Sequence, residues 1–356
     1  MSDDSPIQFR KRSDLVVVPS SGTLAGWTVK DPLTLQYFQL QAEEYSILEW
    51  LDGKVTLSGL VTRLGERFPS SQISAENVSQ FVTSLLRSGL LAATNVGFGK
   101  RLADQNDHAT RTGRLRKLGS LLSIRFRGVD PDRFLEAIQP ATRLLLSKAS
   151  LLAIGSLIAA AMLFAFGNIE AIVRRMPDLA YLVNARNLPL ILLTFVLIKV
   201  FHELGHAVVC KHFGGECHEI GVILVALMPL LYCSVTDSWM QTRKWPRIAV
   251  SLAGVLVELT LAAGCLFLWL GSSHGPEGTF FLNVMLVCSV DTVLFNVNLL
   301  LRYDGYYVLS DLVGIPNLAT EAKLVVWGVF DAIVLGVDSA PGGHTCLLYT
   351  SPSPRD

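Results

Sequence analysis

The sequence predicts a mainly α, polytopic helical membrane protein with a small α+β domain on its N-terminal side. Three observations predict it. Of 356 residues, 51% are hydrophobic and only 17% are charged, with a mean hydropathy of +0.43, too apolar for an ordinary soluble chain of this length. The apolar residues concentrate after Leu144 in segments approaching the ~20 residues that a bilayer crossing takes. Ahead of them, residues 31–96 show the shorter, half-polar patterns of a soluble domain.

The start, MSDDSPIQFRKRSD, lacks the apolar core of a secretory signal, so residues 1–30 read as a polar tail. The domain then runs from about Asp31 to Val96, through YFQLQAEEYSILEWLDG, TLSGLVTRLGERFP and SAENVSQFVTSLLRSGLL. In the last segment Val78, Phe81, Val82, Leu85 and Leu86 recur at helical spacing. Ser74 stands where a helix begins and Gly89 where one stops. The pattern is a strand-forming lead followed by three helices. Its Tyr37–Leu40 lead, Leu51-Asp52-Gly53 turn and closing Gly89-Leu90-Leu91 resemble the PqqD-like winged-helix modules. Those modules bind peptides in ribosomal-peptide maturation systems. The resemblance implies a winged-helix-like fold and a peptide partner; a general helical adaptor is the plainer reading.

Residues 97–143 form a basic connector, with TRTGRLRKLGSLLSIRFRG at its centre. Such a block beside a first span stays cytoplasmic. It either lies on an anionic inner leaflet or is a solvated linker. Across the chain 30 basic residues balance 30 acidic ones, which leaves no global argument for nucleic acid. Cys210, Cys217, Cys233, Cys265 and Cys288 lack a framework spacing and read as reduced thiols. The tail Cys346–Asp356, CLLYTSPSPRD, resembles the translation of a transposase-type sequencing adaptor. The expectation is a native sequence broken off near Thr345.

Four segments are predicted spans: Ala149–Phe166, Leu188–Cys210, Ile248–Leu270 and Phe280–Leu301. A fifth run, Ile220–Tyr232, is short and contains Pro229. Lys211 and His212 precede it and Arg243, Lys244 and Arg247 follow it, so a re-entrant hairpin is expected. An inside N-terminus then brings His202 and the end of the fourth span toward one leaflet. The predicted location is the cytoplasmic (inner) membrane, multi-pass, with the N-terminal domain in the cytoplasm.

The second span contains FHELGHAVVC. His202 and His206 are spaced i, i+4 and project from one helix face. Two such imidazoles can chelate one zinc, with Glu203 beside it as general base. Ionisable groups inside a span are costly unless paired, hydrated or metal-bound. A third protein ligand is still needed, and the candidates are Asp237, Glu258, Asp291 and Asp304. Asp291 lies thirteen residues before Asp304, roughly 20 Å along a straight helix, and toward the outer leaflet. The run Phe280–Ile315 is too long for one straight crossing of about 30 Å, so a break is expected at RYDG, where Asp304 can turn inward. Asp304 is the expected third ligand.

These motifs resemble the site-2 protease family of intramembrane zinc metalloproteases. That family pairs a membrane-embedded HExxH with a later Asn-containing segment ending in Asp-Gly; here the second part is Asn296-Val-Asn298-Leu-Leu-Leu-Arg-Tyr-Asp304-Gly305. The resemblance spans roughly Leu188 to Leu318. It implies Zn2+ on His202, His206 and Asp304, water activation by Glu203, and substrate binding by Asn296 and Asn298. Family members often have prolines between the Asn and the Asp-Gly, where this chain has Leu, Leu and Arg. Many also have Gly-Pro-x-x-Asn on the intervening span, where this chain has Gly254-Val-Leu-Val-Glu258. Glu258 is then expected to replace that asparagine on the substrate side; a glutamate bonded to a neighbouring helix is the alternative. Asp237 either orients a ligand histidine by accepting a hydrogen bond from its other ring nitrogen or is a turn residue. Cys210, His212, Cys217 and His218 read as interface residues rather than a second metal site.

The implied activity is that of a zinc metalloendopeptidase acting on a membrane-associated peptide or protein, with the irregular segments near Pro229 and Asp304 as binding edges. One rival is a non-proteolytic membrane subunit of a peptide maturation or export complex. The other is a transporter using intramembrane histidines as proton relays.

Overall fold

The computed structural model describes residues 6–20, 26–69, 74–93, 123–178, 184–225, 228–273 and 275–315, with 318–319, 322–323, 325–327 and 330. The basic stretch through residue 122 and the tail Cys346–Asp356 lie outside the described residues. The chain forms two units.

The first unit contains β1 (Phe9–Lys11), β2 (Val16–Ser20), β3 (Gly26–Asp31), β4 (Gln36–Gln41), α1 (Ala42–Trp50), α2 (Leu57–Arg67), α3 (Ala75–Arg87) and β5 (Leu91–Ala93). β2, β3 and β4 form an antiparallel sheet, and β1 pairs with β5. Strands Phe9–Lys11, Val16–Ser20 and Gly26–Asp31 thus occupy much of the stretch expected as a polar tail. The physical reason lies in side-chain alternation. Val29 opposes Phe38 across the sheet, and Leu15, Val29, Phe38 and Leu40 enter the same core as Ile47, Leu60, Leu64 and Phe81. Arg12 adds a polar tie, its two Nη atoms 3.0 and 2.9 Å from the buried Asp31 carboxylate. Burial pushes that carboxyl up; Arg12, the Leu33 N–H and the Thr34 hydroxyl outweigh it and hold it below its ordinary range.

Local signals explain the helices. The Ser74 hydroxyl accepts from Asn77 N at the start of α3, and Gly89 has φ +74° just after its end, a left-handed turn that suits glycine. Asp52 Oδ1 accepts from Lys54 N and Val55 N, closing the Leu51-Asp52-Gly53 turn.

The second unit contains β6 (Ser123–Val129), α4 (Asp132–Leu145), α5 (Lys148–Gly167), α6 (Ile169–Arg175), α7 (Leu188–His212), β7 (Ile220–Val225), β8 (Met228–Cys233), α8 (Lys244–Gly271), α9 (Pro276–Asp291) and α10 (Asp304–Val313). Residues 123–143, expected as connector, are a strand and a helix of this unit. β6 pairs antiparallel with β7. Lys211 Nζ, at the end of α7, sits 2.8 Å from Asp132 and 3.1 Å from Glu136 of α4. Ile220–Tyr232 is a hairpin of two antiparallel strands, β7 and β8. Pro229 falls on β8, an end strand of its sheet, where a missing N–H is tolerated.

Four helical segments are long and apolar enough to cross a membrane: Lys148–Gly167, Leu188–His212, Lys244–Gly271 and Pro276–Asn296. The fourth includes a π-helical turn, Thr292–Asn296, that continues α9. It stops short of the expected Leu301; the helical path breaks after Asn296 and resumes at Asp304, so the irregular stretch 297–303 ends within the RYDG where a break was expected.

Candidate metal centre

α7 carries His202 and His206 on one face, both buried. Its neighbour α8 approaches closely because two glycines face the contact. A Cβ on Gly205 would lie 2.9 Å from Val257 Cγ2 and 3.3 Å from Ala253 O. A Cβ on Gly254 would collide with the His202 ring and lie 2.6 Å from His206 Nε2. The imidazoles occupy the space that this missing side chain leaves.

Asp304 reaches them from the far side of the helix break. After the π turn, residues 297–303 are irregular, and α10 starts at Asp304 itself. Gly305 makes the approach possible: a Cβ there would sit 2.8 Å from Asn296 O and 2.9 Å from Val297 O. Asp311 Oδ1, two turns further along α10, lies 3.0 Å from Arg247 Nε of α8.

Three atoms then face one another. His202 Nε2 and His206 Nε2 are 3.1 Å apart, and Asp304 Oδ2 is 3.1 Å from the first and 3.2 Å from the second. Zinc with ligands at about 2.0–2.1 Å in a tetrahedron needs ligand–ligand edges of about 3.3–3.4 Å, close to this triangle. The proton positions agree. His206 Nδ1 is 2.7 Å from Val250 O, an acceptor only, so Nδ1 carries a proton and the neutral ring has its lone pair on Nε2. His202 Nδ1 lies 2.8 Å from Glu258 Oε1, a short but off-line ion-pair contact that favours the same tautomer. Two lone pairs and a carboxylate oxygen therefore converge. Asp304 Oδ2 is buried with no hydrogen-bond donor among the described residues. Such a cluster repels itself unless a cation or a shared proton lies at its centre. The donor set, two nitrogens and one oxygen, suits a divalent transition metal and leaves a fourth position open. Among the described residues, these are the three that could together hold a metal ion.

The other expected residues are placed as follows. Glu203 is half-buried beside the histidines and makes no hydrogen bond or ion pair among the described residues. Glu258 and Asn296 are both buried, and Asn296 Nδ2 donates to Glu258 Oε2 at 2.8 Å. Glu258 thus makes the bonds to a neighbouring helix that the alternative reading gave it. Asn298 closes its own turn, accepting from Leu300 N and donating to Leu294 O. Asp237 Oδ2 accepts from Glu216 N at 2.9 Å, while the Nδ1 atoms of the two histidines face Val250 O and Glu258 Oε1. Asp291, expected not to share a metal with Asp304, lies outside the three-residue group; its Oδ2 accepts from Asn296 Nδ2 at 2.9 Å.

Cys210, His212, Cys217 and His218 do not converge. Cys217 Sγ is 3.2 Å from Cys233 Sγ, His218 pairs with Glu216, and the His212 ring packs edge-on to Phe213. Gly254, Lys199 and Thr292 are site residues that sequence reasoning missed. The one available signal was Lys199, a charge inside an apolar span.

No family model matches the chain, and neither a curated protein nor a solved structure matches it. The fold and site together define a membrane protein with a buried His-His-Asp centre able to hold a metal ion.

Proposed function

We propose that the protein is an intramembrane zinc metalloendopeptidase that hydrolyses a peptide bond of a membrane-associated peptide or protein. The observation that carries this reading is the convergence of His202 Nε2, His206 Nε2 and Asp304 Oδ2, with Glu203 next to His202 on the same helix. Zinc at these three ligands supplies Lewis acidity toward a peptide carbonyl and acidifies water. Glu203 accepts a proton from the attacking water and passes it to the leaving amine. His206 and His202 keep their Nε2 atoms directed inward because Val250 O and Glu258 occupy their other nitrogens. A membrane-embedded substrate exposes its peptide bond only when locally unwound, and end strand β8 offers an edge for such an extended segment. In this reading the first unit presents the peptide or a partner, on the cytoplasmic side of the inner membrane.

The test is metal analysis of the purified protein together with Glu203→Ala. One zinc per chain in both proteins is expected, with cleavage of a co-expressed membrane-tethered substrate lost only in the variant, by roughly 1,000-fold or more. Zinc without cleavage by the wild type moves the reading to a subunit of a maturation or export complex. Absence of bound metal from the wild type overturns both.

A further inference from the structure

Lys199, Glu258 and Asp291 are ionisable residues on three different candidate spans, α7, α8 and α9. Each is expensive in a bilayer, and exchanging a buried ion pair for apolar side chains is often neutral or stabilising. Stability alone therefore does not account for them, but their connections do. Lys199 Nζ contacts Asp291 Oδ2 directly and lies 3.5 Å from Glu258 Oε1. Asn296 Nδ2 bridges Asp291 Oδ2 and Glu258 Oε2, at 2.9 and 2.8 Å. Thr292 Oγ1 donates to Glu258 Oε2 at 2.5 Å. Glu258 Oε2 is thus occupied twice, and Oε1 is left between Lys199 and His202 Nδ1. Lys199 stands three residues before His202, about one turn away on the same face of α7.

We propose that the buried Lys199–Asp291 pair is a positioning device for the metal ligand His202, acting through Glu258. This rests on the metal-centre reading above. The pair and Asn296 set the Glu258 carboxylate in place, and Oε1 fixes the orientation of His202 through Nδ1. A carboxylate behind a ligand histidine fixes its tautomer and strengthens it as a donor. The arrangement is asymmetric. His206 has the backbone carbonyl of Val250 behind it and does not depend on the network. The π turn has a part in this, since it places Thr292 and Asn296 together on Glu258.

The experiment measures zinc affinity of the full chain in detergent by competition with a chromophoric chelator, alongside thermal unfolding. Lys199→Met/Asp291→Leu removes both charges and leaves an apolar contact. Its expected behaviour is a near wild-type unfolding midpoint, zinc binding about 10–100-fold weaker, and an altered visible spectrum when Co2+ replaces zinc. Lys199→Arg, which keeps the cation, is expected to stay within about threefold of wild-type affinity. A double variant with wild-type affinity and cobalt spectrum overturns the proposal and leaves the pair a purely structural one. Should the double variant not fold, Glu258→Gln is read in the same assays, with the same expected loss and the same overturning result. If the wild type itself binds no zinc, the metal reading fails, and this inference with it.

Discussion

At the scale of single residues, the site depends on what is absent as much as on what is present. Gly254 has no side chain at the point where two imidazoles lie, and a Cβ would collide with both rings. Gly254→Ala is therefore expected to displace His202 or His206 and to weaken zinc binding by on the order of 100-fold, measured by chelator competition, while the protein still inserts into membranes. Glu44 shows a different residue-scale effect, in the first unit. Burial raises its carboxyl to about 7, against the opposing pull of the Gln41 N–H, which donates to Oε2 at 2.8 Å. The folded form keeps a proton that the unfolded chain loses near its ordinary value of 4.5. Stability from this group is thus full below about pH 4.5 and falls as pH rises toward 7, by about 3 kcal/mol. Amide protection of Ile47 and Leu48, corrected for intrinsic exchange, should fall across that window in the wild type and stay level in Glu44→Gln.

At the scale of elements, hydrophobic length was an accurate guide and helix continuity was not. The spans expected from Ala149, Leu188 and Ile248 appear as α5, α7 and α8, each within a few residues at its ends. The fourth was expected to run to Leu301, because Val297–Leu301 is as apolar as the segment before it. Hydropathy reports that a residue can face lipid; it does not report whether its backbone N–H finds a carbonyl four residues back. The break after Asn296 follows from tertiary contacts: Thr292 and Asn296 turn to Glu258, and Gly305 packs onto the Asn296 and Val297 carbonyls. The strands of the first unit were missed for a related reason. β2 and β3 are short and part-polar, and their membership of the core is visible only once Val29 faces Phe38.

At the scale of the whole molecule, the four apolar helices set the environment in which the centre works. The first, Lys148–Gly167, is exposed or half-buried along its length, with Ala161 its buried residue, so its surface is left for lipid. Alkaline carbonate washing should leave the protein in the membrane pellet, and detergent should release it; release by carbonate alone would contradict four crossings. The HELGH spacing and the Asp-Gly were legible as ligand types because a helix puts i and i+4 on one face whatever surrounds it. Local sequence also determined the four segments long and apolar enough to cross a membrane and the helix caps at Ser74 and Gly89, while the length of the run Phe280–Ile315 pointed to Asp304. What only the tertiary structure decided is which distant groups share a site. Glu258 stands beside His202 Nδ1, Asp291 joins through Lys199, and Gly254 gives the rings their space. Contacts between helices depend on how the chain turns back on itself, and a one-dimensional pattern does not encode that turn.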